Sequence, residues 1–486
     1  MAIALYLSDR KSAPPSPAAE RSFASRTSQA QRGDSLRRVI CLLTAWGLAC
    51  GAGAAANSAP AQPVVLGSGV TALNGPWKFR TGDDARWAQP DFDDSAWDDL
   101  DLTPPPAAHD GDVGLSGYVP GWQARGHKGY IGFAWYRLRV ALEAPAGERL
   151  ALIGPPYVDS AYQLFVNGRL LGGVGDFSGA TPAAYGIHKP RLYALDPATL
   201  PAGNHGPLVV ALRVWMGAWG GAGAESGGIH IAPSLGTAPG ARARFEQQWF
   251  ETFRGYIVDA VEALIFVLLA IMACMLVPFD RGNPAYRWLA AALLLLAAAR
   301  GNQAVFFWAE IETFHGFELV TVTLLLPLSL AAWTLTWCHW LRLPDLRWMR
   351  RTVVALTGIY LIAQFLRRSW FYDVFPPWLN GTLAFLVMAA RWLFVALVFV
   401  ILWRAARRCG RERWLTLLAI VLVSIGLFAP ELSTLHVPGI WFPFGTGVSR
   451  TEYAYAAFDL VLFALLARRL YGLHPPGTAS GLLAAQ

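Results

Sequence analysis

YIVDAVEALIFVLLAIMACMLVP, residues 256–278, is the stretch at which this chain changes its surroundings. An α-helix rises about 1.5 Å per residue, so this run alone outreaches a hydrocarbon core of about 30 Å. Only Asp259 and Glu262 interrupt it, three residues apart and therefore on one face near its start. Six further apolar runs follow, at about 286–308, 318–340, 352–367, 378–403, 414–430 and 453–471. Composition agrees: 54% of residues are hydrophobic and only 15% charged, where a soluble globular chain carries about 25% charge. The expectation is an all-α seven-helix transmembrane bundle over 256–471.

The arginines orient that bundle. Arg281, Arg287, Arg342, Arg347, Arg350, Arg351, Arg404, Arg407, Arg408, Arg411, Arg413, Arg468 and Arg469 all fall on one side of the implied membrane. Arg367, Arg368 and Arg450 fall on the other, with Arg300 at a helix edge. The positive-inside rule then places the region before the helices outside and the C-terminus in the cytoplasm. The same clustering accounts for the net charge of +7 without a nucleic-acid partner, since no continuous basic stripe appears. The tail, 472–486, is expected to be short and cytoplasmic, with no room for a kinase, cyclase, phosphatase or DNA-binding domain.

Upstream, residues 1–59 read as a disordered leader and export signal. Arg37-Arg38 precede the apolar run Val39–Cys50, and small residues around Ala54-Ala55-Ala56 resemble a cleavage site. Between 65 and 235 the text is β-rich. Short runs at Trp77–Arg80, Ala134–Val140, Arg149–Ile153, Ala161–Val166 and Leu208–Trp215 are separated by Gly, Pro, Asn and Asp, as in a β-sandwich. Asn167-Gly168 sits between two such runs and signals a hairpin, because a type I′ turn needs two positive φ angles. This region holds no cysteine, so disulfides do not hold it together. A linker is expected at 236–255.

The segments LNGPWKFR (73–80), FDDSAW (92–97), AWYRLRV (134–140), AYQLFVNGRLLGGVG (161–175) and LVVALRVW (208–215) resemble the N-terminal sugar-binding jelly roll of glycoside hydrolase family 2. That resemblance implies a galactose-binding-like, all-β sandwich. A jelly roll followed by seven helices is similar in architecture to the bacterial seven-transmembrane receptors with diverse intracellular signalling modules. Such receptors sense a ligand outside and drive an output domain; here the output would have to come from a separate cytoplasmic signalling protein.

Sugar recognition needs an aromatic face and nearby polar groups. GYVPGWQARGHKGY (117–130) offers Trp122, Gln123, Arg125, His127 and Tyr130, and MGAWGGAGAESGG (216–228) offers Trp219 and Glu225. Trp77, Trp97, Trp135 and Trp215 are expected in the core. The acidic run Asp91, Asp93, Asp94, Asp98, Asp99 and Asp101 reads as a solvated loop. The two flanking carboxylates of a glycosidase are not evident, so no catalytic residue is assigned. No Cys/His spacing suggests zinc, and His315, His339 and His436 read as interfacial; no metal or cofactor is expected. Within the membrane, ionisable residues are costly and usually paired. Asp259, Glu262 and Arg300 are candidates, and Arg391 and Asp459 lie at similar depth and are expected to pair.

These features together predict a multi-pass protein of the bacterial inner membrane. Its outer jelly roll would bind a carbohydrate-like ligand, and its bundle would relay to a cytoplasmic partner. The competing reading is an accessory protein or enzyme in surface polysaccharide handling.

Overall fold

The computed structural model describes residues 62–65, 69–186, 188–217, 224–344, 346–368, 371, 374–407, 413–440 and 447–473. The leader, most of the tail and Trp219 lie outside the described residues.

The N-terminal part is a β-sandwich. Its larger sheet runs in the order 98–100, 77–81, 132–143, 205–216, 161–166, 169–174, with 62–65 added in parallel to 132–143. At the centre, Gly132–Glu143 and His205–Met216 pair antiparallel along their whole lengths. Covered on both faces, their middles are nearly continuously buried, which is why they read as apolar runs rather than strict alternation. The hairpin forms at Asn167-Gly168 with φ of 46° and 81°, as a type I′ turn requires. A second sheet, in the order 192–194, 150–153, 234–237, 70–72, closes the sandwich. Trp77, Trp97, Trp135 and Trp215 are all buried.

The acidic run is not wholly solvated. Asp94 is buried, accepting a hydrogen bond from Arg137 Nε at 2.8 Å and another from Arg139. Arg137 itself is only 1% exposed and donates further to the Trp87 and Phe92 carbonyls. The FDDSAW turn thus inserts a carboxylate under the sheet, and its tryptophan packs edge-on to Trp87.

The second part is helical: α1 (Ala238–Leu276), α2 (Ala285–Trp308), α3 (Phe314–Trp340), α4 (Leu346–Leu366), α5 (Pro377–Ala406), α6 (Arg413–Leu427), the short α7 (Ala429–Thr434) and α8 (Arg450–Leu473). Four of these, α1, α2, α3 and α5, are long and apolar enough to cross a membrane. Helices stand at all seven expected places, but α4 and α8 carry charged ends and α6 is short. The stretch read as a linker is helical. α1 starts one residue after the last strand, where Thr237 accepts from the Gly240 N–H as an N-cap, and it continues unbroken for 39 residues. In α3 the residues Glu318–Leu325 widen into a π-helix just before Pro327, whose ring cannot donate to the preceding turn.

The sandwich sits against one end of the bundle. Val113, Leu115, Tyr118, Tyr157 and Trp215 from the β part share a buried cluster with Tyr256, Phe306, Phe307, Phe314 and Phe317 from the helices. Gly447 (φ 70°), before α8, packs so tightly on α1 that any Cβ would collide with the Gly255 carbonyl, and its N–H donates to the Asp112 carbonyl of the sandwich.

Candidate functional site

The two loops singled out in the sequence are zipped together. Gly121, Trp122 and Gln123 donate backbone N–H groups to the carbonyls of Glu225, Gly227 and Ser226 at 2.7, 2.9 and 3.1 Å. The Trp122 ring is fully buried, with Gly227 and Gly228 packed against it so closely that a Cβ on either would clash. Its Nε1 and the Gln123 Nε2 both donate to the Tyr130 carbonyl, at 3.3 and 3.0 Å. Tyr130 accepts from the Gly82 N–H at 3.1 Å and donates to the Phe133 carbonyl. Trp122, Gln123 and Tyr130 therefore hold the loop's shape, and the exposed aromatic platform expected at Trp122 is absent. Glu225 contributes its carbonyl to the zipper.

What remains open is a polar pocket of about 520 Å³ on the sandwich surface. Arg125 and His127 line it together with Asp98, Asp99 and Asp101. The His127 ring packs on Phe79, with centroids 4.8 Å apart, and its Nε2 stands 3.6 Å from Asp98 Oδ2. Arg125 donates to the Asp101 carbonyl, and Lys78 pairs with Asp99 at 2.8 Å. Exposed carboxylates beside an imidazole suit a ligand rich in hydroxyl donors. Among the described residues, no group of three or more His, Cys, Asp or Glu is arranged to hold a metal ion.

A second polar constellation lies where the sandwich meets the helices. The Asp110 carboxylate, fully buried, accepts from the N–H groups of Asp112 and Val113, each at 2.8 Å, and from Leu115. His188 stands beside it, Nε2 3.4 Å from Asp110 Oδ1. Tyr256, on α1, donates its hydroxyl to Asp112 and lies 3.1 Å from His188 Nδ1. The ring of Tyr256 stacks face to face on Phe307 of α2, centroids 3.7 Å apart. Next to His188, Lys189 reaches the end of α2, donating to the carbonyls of Phe306, Phe307 and Ala309 at 3.3, 2.8 and 3.3 Å. A cation there satisfies carbonyls that a helix terminus leaves without partners.

Titration at this junction follows from burial. Desolvation pushes the Asp112 carboxyl up to about 6, against the opposing pull of His188 and the Tyr256 hydroxyl. Burial also lowers the Lys189 ammonium to about 8. Folded Asp112 therefore holds a proton between about pH 4 and 6 that the unfolded chain has released, so its contribution to stability is present below that window and lost as pH rises through it. We expect Asp112→Asn to remove a component on the order of 3 kcal/mol from the fall in stability between pH 4 and 6. Thermal melts of the full chain at both pH values check this; equal pH slopes in the two proteins would refute it.

One turn below Tyr256, Arg300 gathers three carboxylates. Its Nη1 is 2.7 Å from Asp259 Oδ1, its Nε 3.1 Å from Glu262 Oε2, and its Nη2 3.4 Å from Glu452 Oε1. The Glu262 contact is an ion pair without hydrogen-bond alignment. Glu452 also accepts from the Ser449 N–H at 2.6 Å, and Arg300 lies over the Tyr455 ring at 4.9 Å. The structure thus joins Asp259, Glu262 and Arg300 and adds Glu452 from α8.

Arg391 and Asp459 do not pair. Arg391 binds Glu431 through Nε and, at 2.6 Å, through Nη2, and reaches the Tyr360 hydroxyl at 3.1 Å. The expected sixth span ran to residue 430, but α6 stops at Leu427 and Pro430 opens α7. That break turns Glu431 inward to Arg391. Both Asp459 carboxylate oxygens are buried without a hydrogen-bond partner among the described residues. Asp110, Asp112, His188, Lys189, Tyr256, Glu431 and Glu452 were not singled out in the sequence. Only Glu452, a carboxylate at the edge of an apolar run, carried a local signal.

No protein-family model matches the chain, and no curated protein matches it. Among solved structures it is similar to a calcium-binding mutant of β-glucuronidase 2 from Bacteroides uniformis, at 20% identity over 34% of this chain and 17% of that one, with a TM-score of 0.25. It is also similar to a β-glucuronidase from glycoside hydrolase family 2 (19% identity, 35% of this chain, 18% of that, TM-score 0.24). A third is the Bifidobacterium dentium β-glucuronidase complexed with coumarin-3-O-glucuronide (18%, 32% of this chain, 22% of that, TM-score 0.23). The chain spans about a fifth of the length of these enzymes, and TM-scores this low carry no functional conclusion.

Proposed function

We propose that the chain is a receptor-like signal-transduction protein of the bacterial inner membrane. Seven helices cross the bilayer, the jelly-roll domain (65–235) stands outside, and the C-terminus is cytoplasmic. The open pocket at Arg125 and His127 takes a carbohydrate-like ligand, and the bundle passes its state to a cytoplasmic signalling partner. The supporting observation is the junction: Tyr256 ties α1 to Asp112 and His188 of the sandwich, while Asp259, one turn on, ties the same helix to Arg300. A displacement of the sandwich thereby reaches an ion-pair cluster inside the bundle. Ligand shifts such an equilibrium only by binding one arrangement better than the other.

The test uses the full chain in nanodiscs and a panel of mono- and oligosaccharides. A saccharide at about a hundred times its dissociation constant should add about 2.7 kcal/mol to stability. We expect His127→Ala to abolish that shift, beyond any small loss in the unliganded melt from the ring's packing on Phe79. Ligand should also change hydrogen exchange across 250–262 and 300–306. Binding without any change in the helices would favour the accessory role in polysaccharide handling, and no binding by any saccharide would remove the sensing role.

A further inference from the structure

At the end of the bundle far from the sandwich, a pocket of about 150 Å³ opens between the end of α3 and the start of α4. Its lining is Leu335, Cys338, His339, Arg347, Met349 and Arg350. Leu335, Cys338 and Met349 are buried and form an apolar floor, with the Cys338 and Met349 sulfurs 3.1 Å apart. Arg347 and Arg350 are exposed at the rim. A third guanidinium, Arg404 of α5, lies over the neighbouring Trp348 ring at 5.5 Å.

Among the described residues no carboxylate lies within ion-pair distance of Arg347, Arg350 or Arg404, whereas nearby Arg342 has Asp280 at 3.6 Å. Arg347, Arg350 and Arg351 also occupy the opening turns of a 21-residue helix, where the dipole's positive end disfavours cations. Helix N-terminus and guanidinium groups both attract an anion. Beside the pocket, Trp348, Val354, Ile359 and Ile362 of α4 are exposed apolar side chains, a surface suited to acyl chains.

We propose that this pocket binds the phosphate of an anionic lipid headgroup, with the lipid tails lying along the apolar face of α4. Arginine forks match phosphate oxygens bidentately, and the apolar flank selects the lipid over free phosphate. The inference rests on the helices crossing a membrane and is independent of what the sandwich binds.

Native mass spectrometry of the full chain, released from micelles doped with phosphatidylglycerol or phosphatidylcholine of identical chain length, tests it. Two rim arginines predict a preference for phosphatidylglycerol of about thirtyfold. The double variant Arg347→Gln/Arg350→Gln should lose that preference. Arg281→Gln, an exposed arginine outside the pocket, should keep it, and Arg347→Lys/Arg350→Lys should keep part of it. Inorganic phosphate at millimolar concentration should not displace the lipid. Equal retention of the two lipids by the native chain overturns the proposal, as does an unchanged preference in the folded glutamine variant or in Arg350→Gln alone. Displacement by inorganic phosphate overturns the lipid as the source of the anion.

Discussion

Arg300→Leu is expected to destabilise the folded chain by about 3–5 kcal/mol, because it strands buried carboxylates without a counter-charge. Asp259, Glu262 and Glu452 are each at least nine-tenths buried, and Arg300 is the cation that all three face. Removing one guanidinium therefore does more than delete three contacts. It forces the acids to take up protons or the helices to part. Arg300→Lys keeps the charge but loses the fork that spans three partners, so an intermediate loss is expected. Unfolding of the full chain in bicelles, titrated with denaturing detergent, measures both. A loss below about 1 kcal/mol for Arg300→Leu would mean that water or protons already serve the acids, and that the cluster does not hold α1, α2 and α8 together.

Asp94→Ala should cost a similar amount, about 3–5 kcal/mol, in the sandwich. The substitution leaves Arg137, 1% exposed, with carbonyl acceptors only. Asp94→Asn preserves the shape of the side chain and one acceptor, so its effect should be smaller. Asp91→Ala, three residues away on the exposed side of the same loop, should stay within about 0.5 kcal/mol. Hydrogen exchange along the strand Gly132–Glu143 reports this transition separately from the helices. Equal effects at Asp91 and Asp94 would contradict the structural role assigned to the turn.

The two charge clusters differ in how readable they were. Hydrophobic period and length located the helices, and Asn167-Gly168 fixed a hairpin, because those signals are local. Asp259 and Glu262 stood out because lipid makes any carboxylate conspicuous. The junction was silent. Tyr256 lies 144 residues from Asp112 and 68 from His188, and nothing in the local pattern of an aspartate in a Gly-rich loop announces such partners. Trp122 misled for a related reason: an aromatic in a glycine-rich loop looks like a binding platform. Here the glycines are at 227 and 228 to make room for its buried ring. Arg391 was given the wrong acid because depth alone was compared, whereas Pro430 ends a helix early and supplies a nearer one.

The unbroken passage from the strand Ser234–Thr237 into α1 has a mechanical meaning. A coil between two bodies absorbs rotation, but a helix of 39 residues, about 59 Å long, behaves as a shaft. A tilt of about 5° imposed where it leaves the sheet would sweep its far end through about 5 Å, comparable to one helical turn. The stiffness of that shaft fixes how much of a small motion in the sandwich survives at the far end of the bundle. Two or three glycines inserted near Arg242 would act as a clutch, letting the sandwich turn while the bundle stays still.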